Sequence, residues 1–214
     1  MKKPIFSVLI TAGPTQEPID PVRYISNHSS GKMGYALAQV CLEMGLSVIL
    51  ITGPTQITPP DVNQLISVVT AKEMLDAVLK EISNTDLFIA CAAVADYQPK
   101  IYSSQKIKKK ADSISIQFIK TPDILKTVSL LSKKPILVGF CAETDSVVEN
   151  AKQKIIEKNL DFILANVIKK TGEPFHSNEN EIVMIDKNFH ETFFHQDTKL
   201  NLARKILKML ISMP

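Results

Sequence analysis

The chain has 214 residues, of which 45% are apolar and 22% charged, with a net charge of +3. That balance excludes a disordered or fibrous polypeptide and a dedicated nucleic-acid binder, which would carry a strong basic stripe. Cys41, Cys91 and Cys141 are widely spaced, with no Cys-x-x-Cys or Cys/His ligand pattern, so a structural zinc site is excluded and reduced thiols in a cytoplasmic protein are expected.

Met1-Lys2-Lys3 followed by Ile5–Thr11 superficially resembles a secretory signal, but no small-x-small cleavage site follows, and the run reads as a first buried strand. No apolar run approaches the about 20 residues that a membrane helix needs. Met33–Met44 places Met33, Leu37, Val40, Cys41 and Met44 on one helical face, and Gly45 stops that helix before a strand at Ser47–Thr52. Further strands are expected at Leu65–Thr70, Leu87–Ala92, Ile136–Phe140 and Phe162–Ala165. Helices are expected at Ala71–Ile82, Pro122–Leu131 and Val147–Lys158. Ser113–Ile119 alternates with period two and reads as antiparallel or edge-like. Ile182–Asp186 and Phe189–Phe194 read as a late hairpin around Lys187-Asn188, before a closing helix at Leu200–Ile211. Strand-helix alternation with continuously apolar strands indicates an α/β, Rossmann-like, mostly parallel doubly wound sheet with helices on both faces, plus a late antiparallel hairpin. No linker or repeat interrupts it, so residues 1–214 are expected to form one domain.

Five of the seven glycines (Gly13, Gly31, Gly34, Gly45 and Gly53) fall in the first quarter of the chain, where backbone is expected to turn sharply or approach a ligand. Thr11-Ala12-Gly13-Pro14-Thr15 follows the first strand, where a doubly wound sheet binds ligands, although a tight turn would use the same residues. Arg23–Gly34 packs Arg23, Asn27, His28, Ser29 and Ser30 just before a helix. Ser29 or Ser30 could cap that helix, and its first-turn N–H groups attract an anion. Ser29-Ser30-Gly31-Lys32 lacks the first glycine and the trailing Ser/Thr of a Walker loop and is not that motif.

Three later segments complete the candidates. Ala92–Tyr97 follows the fourth strand with small residues and Asp96, which could accept two ribose hydroxyls. Lys106–Lys110 lies in a long polar connection that could be either a solvated face or a lid over a triphosphate. Gly139–Thr144 follows another strand. Phe140 there could stack on a base, and Lys154 and Lys158 lie one turn apart on the next helix.

Taken together, Pro18–Gly34, Ala92–Tyr97, Lys106–Lys109, Pro122–Leu125 and Gly139–Thr144 resemble, in order, the bacterial phosphopantothenoylcysteine synthetase family of coenzyme A biosynthesis. The resemblance implies a ligase that activates 4′-phosphopantothenate with CTP as an acyl-cytidylate, releases pyrophosphate, and then joins L-cysteine with release of CMP. It implies Mg²⁺ bound mainly through the CTP phosphates and no metal site on the protein itself. Asn27 would hold the acyl-cytidylate, with Arg23 nearby and Lys106 contacting the triphosphate. CTP would be held by Gly13, Ser29, Ser30, Gly31, Met33, Ala90, Cys91, Ala92, Asp96, Pro122, Asp123, Ile124, Leu125, Phe140, Lys154 and Lys158. A homodimer is implied, and a flavin-dependent phosphopantothenoylcysteine decarboxylase is a possible partner, because the bacterial protein is often fused behind one. Pro14, Thr121, Cys141 and Asn166-Val167 depart from the family pattern, and Thr121 bears on the nucleotide contact.

Two other function classes compete with this resemblance. A nicotinamide-dependent oxidoreductase would need a G-x-G-x-x-G after the first strand and an acidic residue after the second, and neither is present. A non-catalytic nucleotide-binding regulator would bind CTP without consuming it.

Overall fold

Strand β1 (Ser7–Ala12) sends alternate side chains into two apolar layers, with Val8, Ile10 and Ala12 in one and Leu9 in the other. A strand covered on both faces has no polar side, which is why its sequence is continuously apolar rather than alternating. The computed structural model describes residues 4–109, 112–143, 145–167 and 177–212. Met1–Lys3, Lys110 of the lysine run and Thr144 lie outside them.

The chain continues through β2 (Gln16–Asp20), β3 (Arg23–Ser26), α1 (Lys32–Glu43), β4 (Ser47–Thr52), β5 (Gln64–Ser67), α2 (Ala71–Glu81) and β6 (Leu87–Ala90). Then come β7 (Tyr97–Pro99), β8 (Phe118–Lys120), α3 (Ile124–Ser129), β9 (Ile136–Glu143), α4 (Val147–Lys158) and β10 (Phe162–Val167). Strands β11 (Glu179–Asp186) and β12 (Glu191–Thr198) precede the closing helix α5 (Lys199–Ser212). The main sheet has eight strands in the order β12-β11-β10-β9-β6-β1-β4-β5, parallel from β5 to β10 and antiparallel at β11 and β12.

Helices α1 and α5 cover one face through Leu37, Val40, Leu202 and Ile206, against Ile10, Leu50 and Ile89. Helices α2, α3 and α4 cover the other through Met74, Val78, Val128 and Ile155, against Leu9, Phe88, Leu137 and Ile163. The expected Rossmann-like architecture with its late hairpin is therefore the observed one. Helix α2 starts on a capping box: Thr70 accepts from the Glu73 N–H, and Glu73 reaches back to the Thr70 N–H.

Two local expectations are corrected. The strand at Ser113–Ile119 shrinks to β8, which pairs antiparallel with β7 outside the main sheet. Ile114 on the remainder is exposed, so the alternating pattern there has no core to face. The hairpin β2–β3 falls where no strand was expected.

Candidate functional site

The strand order reverses at β1, whose neighbours β4 and β6 are reached by crossovers on opposite faces of the sheet. Such a switch point opens a crevice beyond the carboxyl ends of the strands. A cavity of about 940 Å³ lies there, bordered by Thr11 near the end of β1, Ala90–Val94 at the end of β6 and beyond, residues 139–142 on β9 and Asn166 on β10.

Side chains of short reach tie the bordering loops together. Asn27 donates to the Val94 carbonyl at 3.0 Å, linking the loop before α1 to the loop after β6. Thr15 accepts from the Ala95 N–H at 3.0 Å, and Ser26 donates to the Thr15 carbonyl at 2.7 Å. Thr121 donates to the Ala95 carbonyl at 2.6 Å and so fixes the approach to α3. The departure at Thr121 thus has a structural use of its own.

The cavity's charge is cationic. Lys32, Lys120, Lys154, Lys158 and Lys199 border it, against only Asp96 and Asp123 as carboxylates among the described residues. Asp123 is doubly committed, capping α3 through the Lys126 N–H at 3.0 Å and pairing with Lys158 at 2.9 Å. Lys199 is only 6% exposed, and burial together with the neighbouring Lys32 ammonium draws its pKa down. Cys91 borders the same space, and burial pushes its thiol up to about 12, so it is a neutral thiol at physiological pH. On the apolar side the wall is made by Leu125, Phe140, Leu160 and Ile163.

Most of the expected binding residues meet here. Asn27, Ser29, Ser30, Gly31 and Met33 come from the loop before α1 and its first turn. Ala90, Cys91, Ala92 and Asp96 come from β6 and beyond; Pro122, Asp123, Ile124 and Leu125 from the start of α3; Phe140 from β9; Lys154 and Lys158 from α4. Gly13, Arg23 and Lys106 are not among the bordering residues. Arg23 turns its guanidinium onto the buried Asp20, and Arg23 Nη2 also donates to the Ile107 carbonyl at 2.9 Å. Asp20 in turn accepts from the Ile107 N–H at 3.1 Å, and the Ser103 N–H donates to the Ile19 carbonyl at 3.0 Å. The lysine-bearing connection is thereby docked on the β2–β3 hairpin, with Lys106 exposed.

The expected serine cap is corrected. Gly31, with φ of 76°, is the residue at the N-cap of α1, no side chain caps the helix, and Ser29 Oγ instead accepts from the Gly31 N–H at 3.3 Å. The glycines answer to internal packing. A Cβ on Gly34 would lie 2.6 Å from the Ala12 Cβ, and one on Gly53 would lie 1.7 Å from the Pro14 carbonyl oxygen.

Sequence reasoning missed Lys199, Asn166, Asn180 and Lys120. Lys199 opens α5, where a lysine reads as a solvated helix end; only the fold brings that helix end beneath the cavity. Asn180 sits on β11, where no motif marked it, and Asn166 on β10 stood only in a departure from the family pattern and was given no binding role.

Residues 6–213 match the family described as DNA/pantothenate metabolism flavoprotein C-terminal domain. The chain is similar to the coenzyme A biosynthesis bifunctional protein CoaBC of Vibrio vulnificus, at 47% identity over 208 residues, which is 95% of this chain and 51% of that protein. The CoaBC protein of Bacillus subtilis is 40% identical over 207 residues, 96% of this chain and 51% of that protein. The chain thus spans about half the length of these curated relatives. A crystal structure of the C-terminal domain of a CoaBC protein superposes with a TM-score of 0.81 at 41% identity, covering 96% of this chain and 93% of that one. A Cab2 variant in complex with phosphopantothenate-cysteine shares the fold, with a TM-score of 0.78 at 17% identity over 97% of this chain and 85% of that one.

These findings correct the expected identity at several points. The matching family is described as a flavoprotein domain rather than a CTP-dependent synthetase, and none of these descriptions names CTP, Mg²⁺ or an acyl-cytidylate. The expected ligase assignment, with CTP and Mg²⁺ as its requirements, is set aside on that basis. The ligand named in the related complex is the joined compound, in place of separate 4′-phosphopantothenate and L-cysteine. The decarboxylase expected as a possible separate partner is corrected as well, because the curated relatives are bifunctional single chains. Among the described residues, no helix is long and apolar enough to cross a membrane. With a match over nearly its whole length, the chain belongs to the DNA/pantothenate metabolism flavoprotein C-terminal domain family.

Proposed function

We propose that this domain binds a 4′-phosphopantothenoylcysteine compound in the switch-point cavity and serves a step of coenzyme A biosynthesis at its cysteinyl end. The observation that carries this reading is the pairing of a lysine-rich border with the apolar wall of Leu125, Phe140, Leu160 and Ile163. Such a ligand has a phosphate at one end, a carboxylate at the other and a flexible arm between. The lysines match its anionic groups, and the apolar wall matches the arm. The compound named in the related complex supports the same choice. Asn27, held by the Val94 carbonyl, keeps the loop before α1 against the loop after β6, so the ligand meets a preset border rather than a collapsing one. Three free cysteines suit a reducing, cytoplasmic setting.

The family description implies a flavin. The phosphate of a flavin mononucleotide would suit the lysines as any phosphate would. The ring is a different matter. Its polar edge calls for donors and acceptors kept in reserve, and among the described residues no buried side-chain polar atom lacks a partner to mark that edge. The one imidazole on the border among the described residues, His28, is exposed and makes no buried base. The residues present do not fit the ring, and no step is derived through it.

The test is calorimetric titration with 4′-phosphopantothenoylcysteine, followed by product analysis. Saturable binding is expected, and its absence would overturn the reading. Three incubations define the reaction: the compound alone, the compound with added flavin mononucleotide, and 4′-phosphopantothenate with cysteine and CTP. Flavin-dependent release of carbon dioxide would show that the ring is accommodated after all. Pyrophosphate release in the third incubation would reverse the correction made on the family's description.

A further inference from the structure

The loop after β4 reaches behind the cavity rather than into it. Thr55 is half-buried there, and its Cγ2 methyl faces two glycines from different loops. A Cβ on Gly31 would lie 2.8 Å from that methyl, and one on Gly13 would lie 2.9 Å from it. The two glycines also meet each other, since the same Cβ on Gly31 would lie 3.6 Å from the Gly13 Cα. Both hold positive φ, 71° at Gly13 and 76° at Gly31, and neither has a side chain of its own to lock that contact. The Thr55 methyl fills the gap. Its place is fixed by the hydroxyl on the same Cβ, which donates to the Ile57 carbonyl at 3.1 Å and lies 2.9 Å from the hydroxyl of buried Tyr35 on α1. Thr55 is not among the residues bordering the cavity, but both loops it touches lead there. Gly31 is a border residue, and the Gly13 carbonyl accepts from the N–H of Ala93, another border residue, at 2.9 Å.

We propose that Thr55 is a positioning residue, whose methyl sets the spacing between the loop after β1 and the loop before α1 and so holds the cavity border in its binding shape. This assignment rests on the ligand reading given above and adds the part of the fold that keeps the border preset. Asn27 ties the loop before α1 to the Val94 carbonyl on the cavity side, and Thr55 braces the same loop from behind. Dispersion attraction fades steeply once a packed contact opens, so deleting this one methyl frees the Gly13–Gly31 contact to slide.

The test measures affinity for 4′-phosphopantothenoylcysteine, Tm, and amide hydrogen exchange over residues 27–34 and 91–95 of the ligand-free chain. Thr55→Ser keeps the hydroxyl and deletes the methyl, Thr55→Val does the reverse, and exposed Thr58→Ser in the same loop is the control. Thr55→Ser is expected to weaken binding about 10-fold, because a displacement of about 1 Å costs on the order of 100-fold and one missing methyl permits part of it. Exchange should quicken in both segments. Thr55→Val should lower Tm through its lost hydrogen bonds while affinity stays near that of the unsubstituted chain, and the control should change neither. Gly31→Ala then returns a methyl from the opposite side: in the Thr55→Ser background its clash is gone, and its other close neighbours are Gly13 backbone atoms at 3.6 Å. This double variant should recover most of the lost affinity although the left-handed φ lowers its Tm. Gly13→Ala should give no such recovery, since the Gly53 carbonyl oxygen at 3.0 Å still opposes its Cβ. Affinity lost in Thr55→Val but not in Thr55→Ser, or affinity that tracks Tm across the set, would overturn the proposal while leaving the ligand reading standing. If the unsubstituted chain does not bind the compound, the ligand reading fails and hydrogen exchange alone decides the brace. Faster exchange in Thr55→Ser that Gly31→Ala reverses supports it, and unchanged exchange overturns it.

Discussion

Gly34→Ala separates a glycine kept for packing from one kept for a ligand. Gly34 lies in the first turn of α1, and a Cβ there would meet the Ala12 Cβ at 2.6 Å and the Ala12 Cα at 3.2 Å. Both colliding carbons are fixed to backbone, so no side-chain rotation relieves them and α1 must move away from β1. Overpacking of this kind costs about 1–3 kcal/mol, and the rigidity of both partners argues for the upper end. Alanine returns about 1 kcal/mol through its better helix propensity. The net loss is about 2 kcal/mol, which for a chain of this size corresponds to a fall of roughly 4–8 °C in Tm. Differential scanning calorimetry without ligand measures it directly. Gly45→Ala is the comparison, because nothing lies within 4 Å of a Cβ there and only the left-handed φ of 77° opposes it. That strain costs about 1–2 kcal/mol, with no displacement of α1. An unchanged Tm for Gly34→Ala, together with lost affinity for 4′-phosphopantothenoylcysteine, would refute the packing argument and make Gly34 a point of close ligand approach.

Three further outcomes follow from buried or perturbed groups. Asp20, held ionised chiefly by Arg23 with help from the Val22 and Ile107 N–H groups, has its pKa well below the ordinary carboxylate range. A depressed folded-state pKa stabilises above the unfolded value and loses that contribution as pH falls toward the folded one. Acid titration should therefore show Asp20→Asn less sensitive than the unsubstituted chain below about pH 4, with proteolysis near residues 103–107 rising in the variant; equal acid sensitivity would remove Asp20 from this role. Glu17 is buried and its carboxylate accepts from the Ala71 N–H at 2.9 Å, at the start of α2. Glu17→Ala should cost about 0.5–2 kcal/mol in urea unfolding, as loss of a helix cap does, and Glu17→Gln less. Cys91, half-buried on the cavity border with its thiol raised to about 12, should react with iodoacetamide at pH 7.5 far more slowly than a free thiol, and rapid labelling at Cys91 by mass spectrometry would refute the raised pKa.

The sheet was legible because burial on both faces leaves a plain trace: a run such as Ser47–Thr52 is almost wholly apolar, and its observed strand has the expected bounds. Helix α4 likewise matched from Val147 to Lys158. Hairpin β2–β3 left no such trace. Arg23, Tyr24 and Ile25 are exposed, Pro18 and Pro21 read as breakers, and its stability comes from Asp20 gathering backbone N–H groups across the turn. At Ser113–Ile119 the opposite error arose, since alternation was present without a core to receive it.

The candidate site divides in the same way. Residues on a contiguous loop, such as Asn27 to Gly31, could be found together because the chain itself gathers them. Lys199 could not, since its place beneath the cavity depends on α5 packing beside α1 and on Ser177–Asn178 reaching back to both helix starts. Even within the loop, composition misassigned the cause. Gly34 was expected to clear space for a ligand, whereas its close contact is with Ala12 of the same chain, and Gly53, expected to serve a turn, is crowded by Pro14. A glycine cluster at the end of a first strand marks backbone crowding, and crowding by a helix against its own strand leaves the same residues in the sequence as crowding by a bound molecule. What separates the two is the neighbour that an added Cβ would strike, and that neighbour is fixed only once α1 has packed on β1.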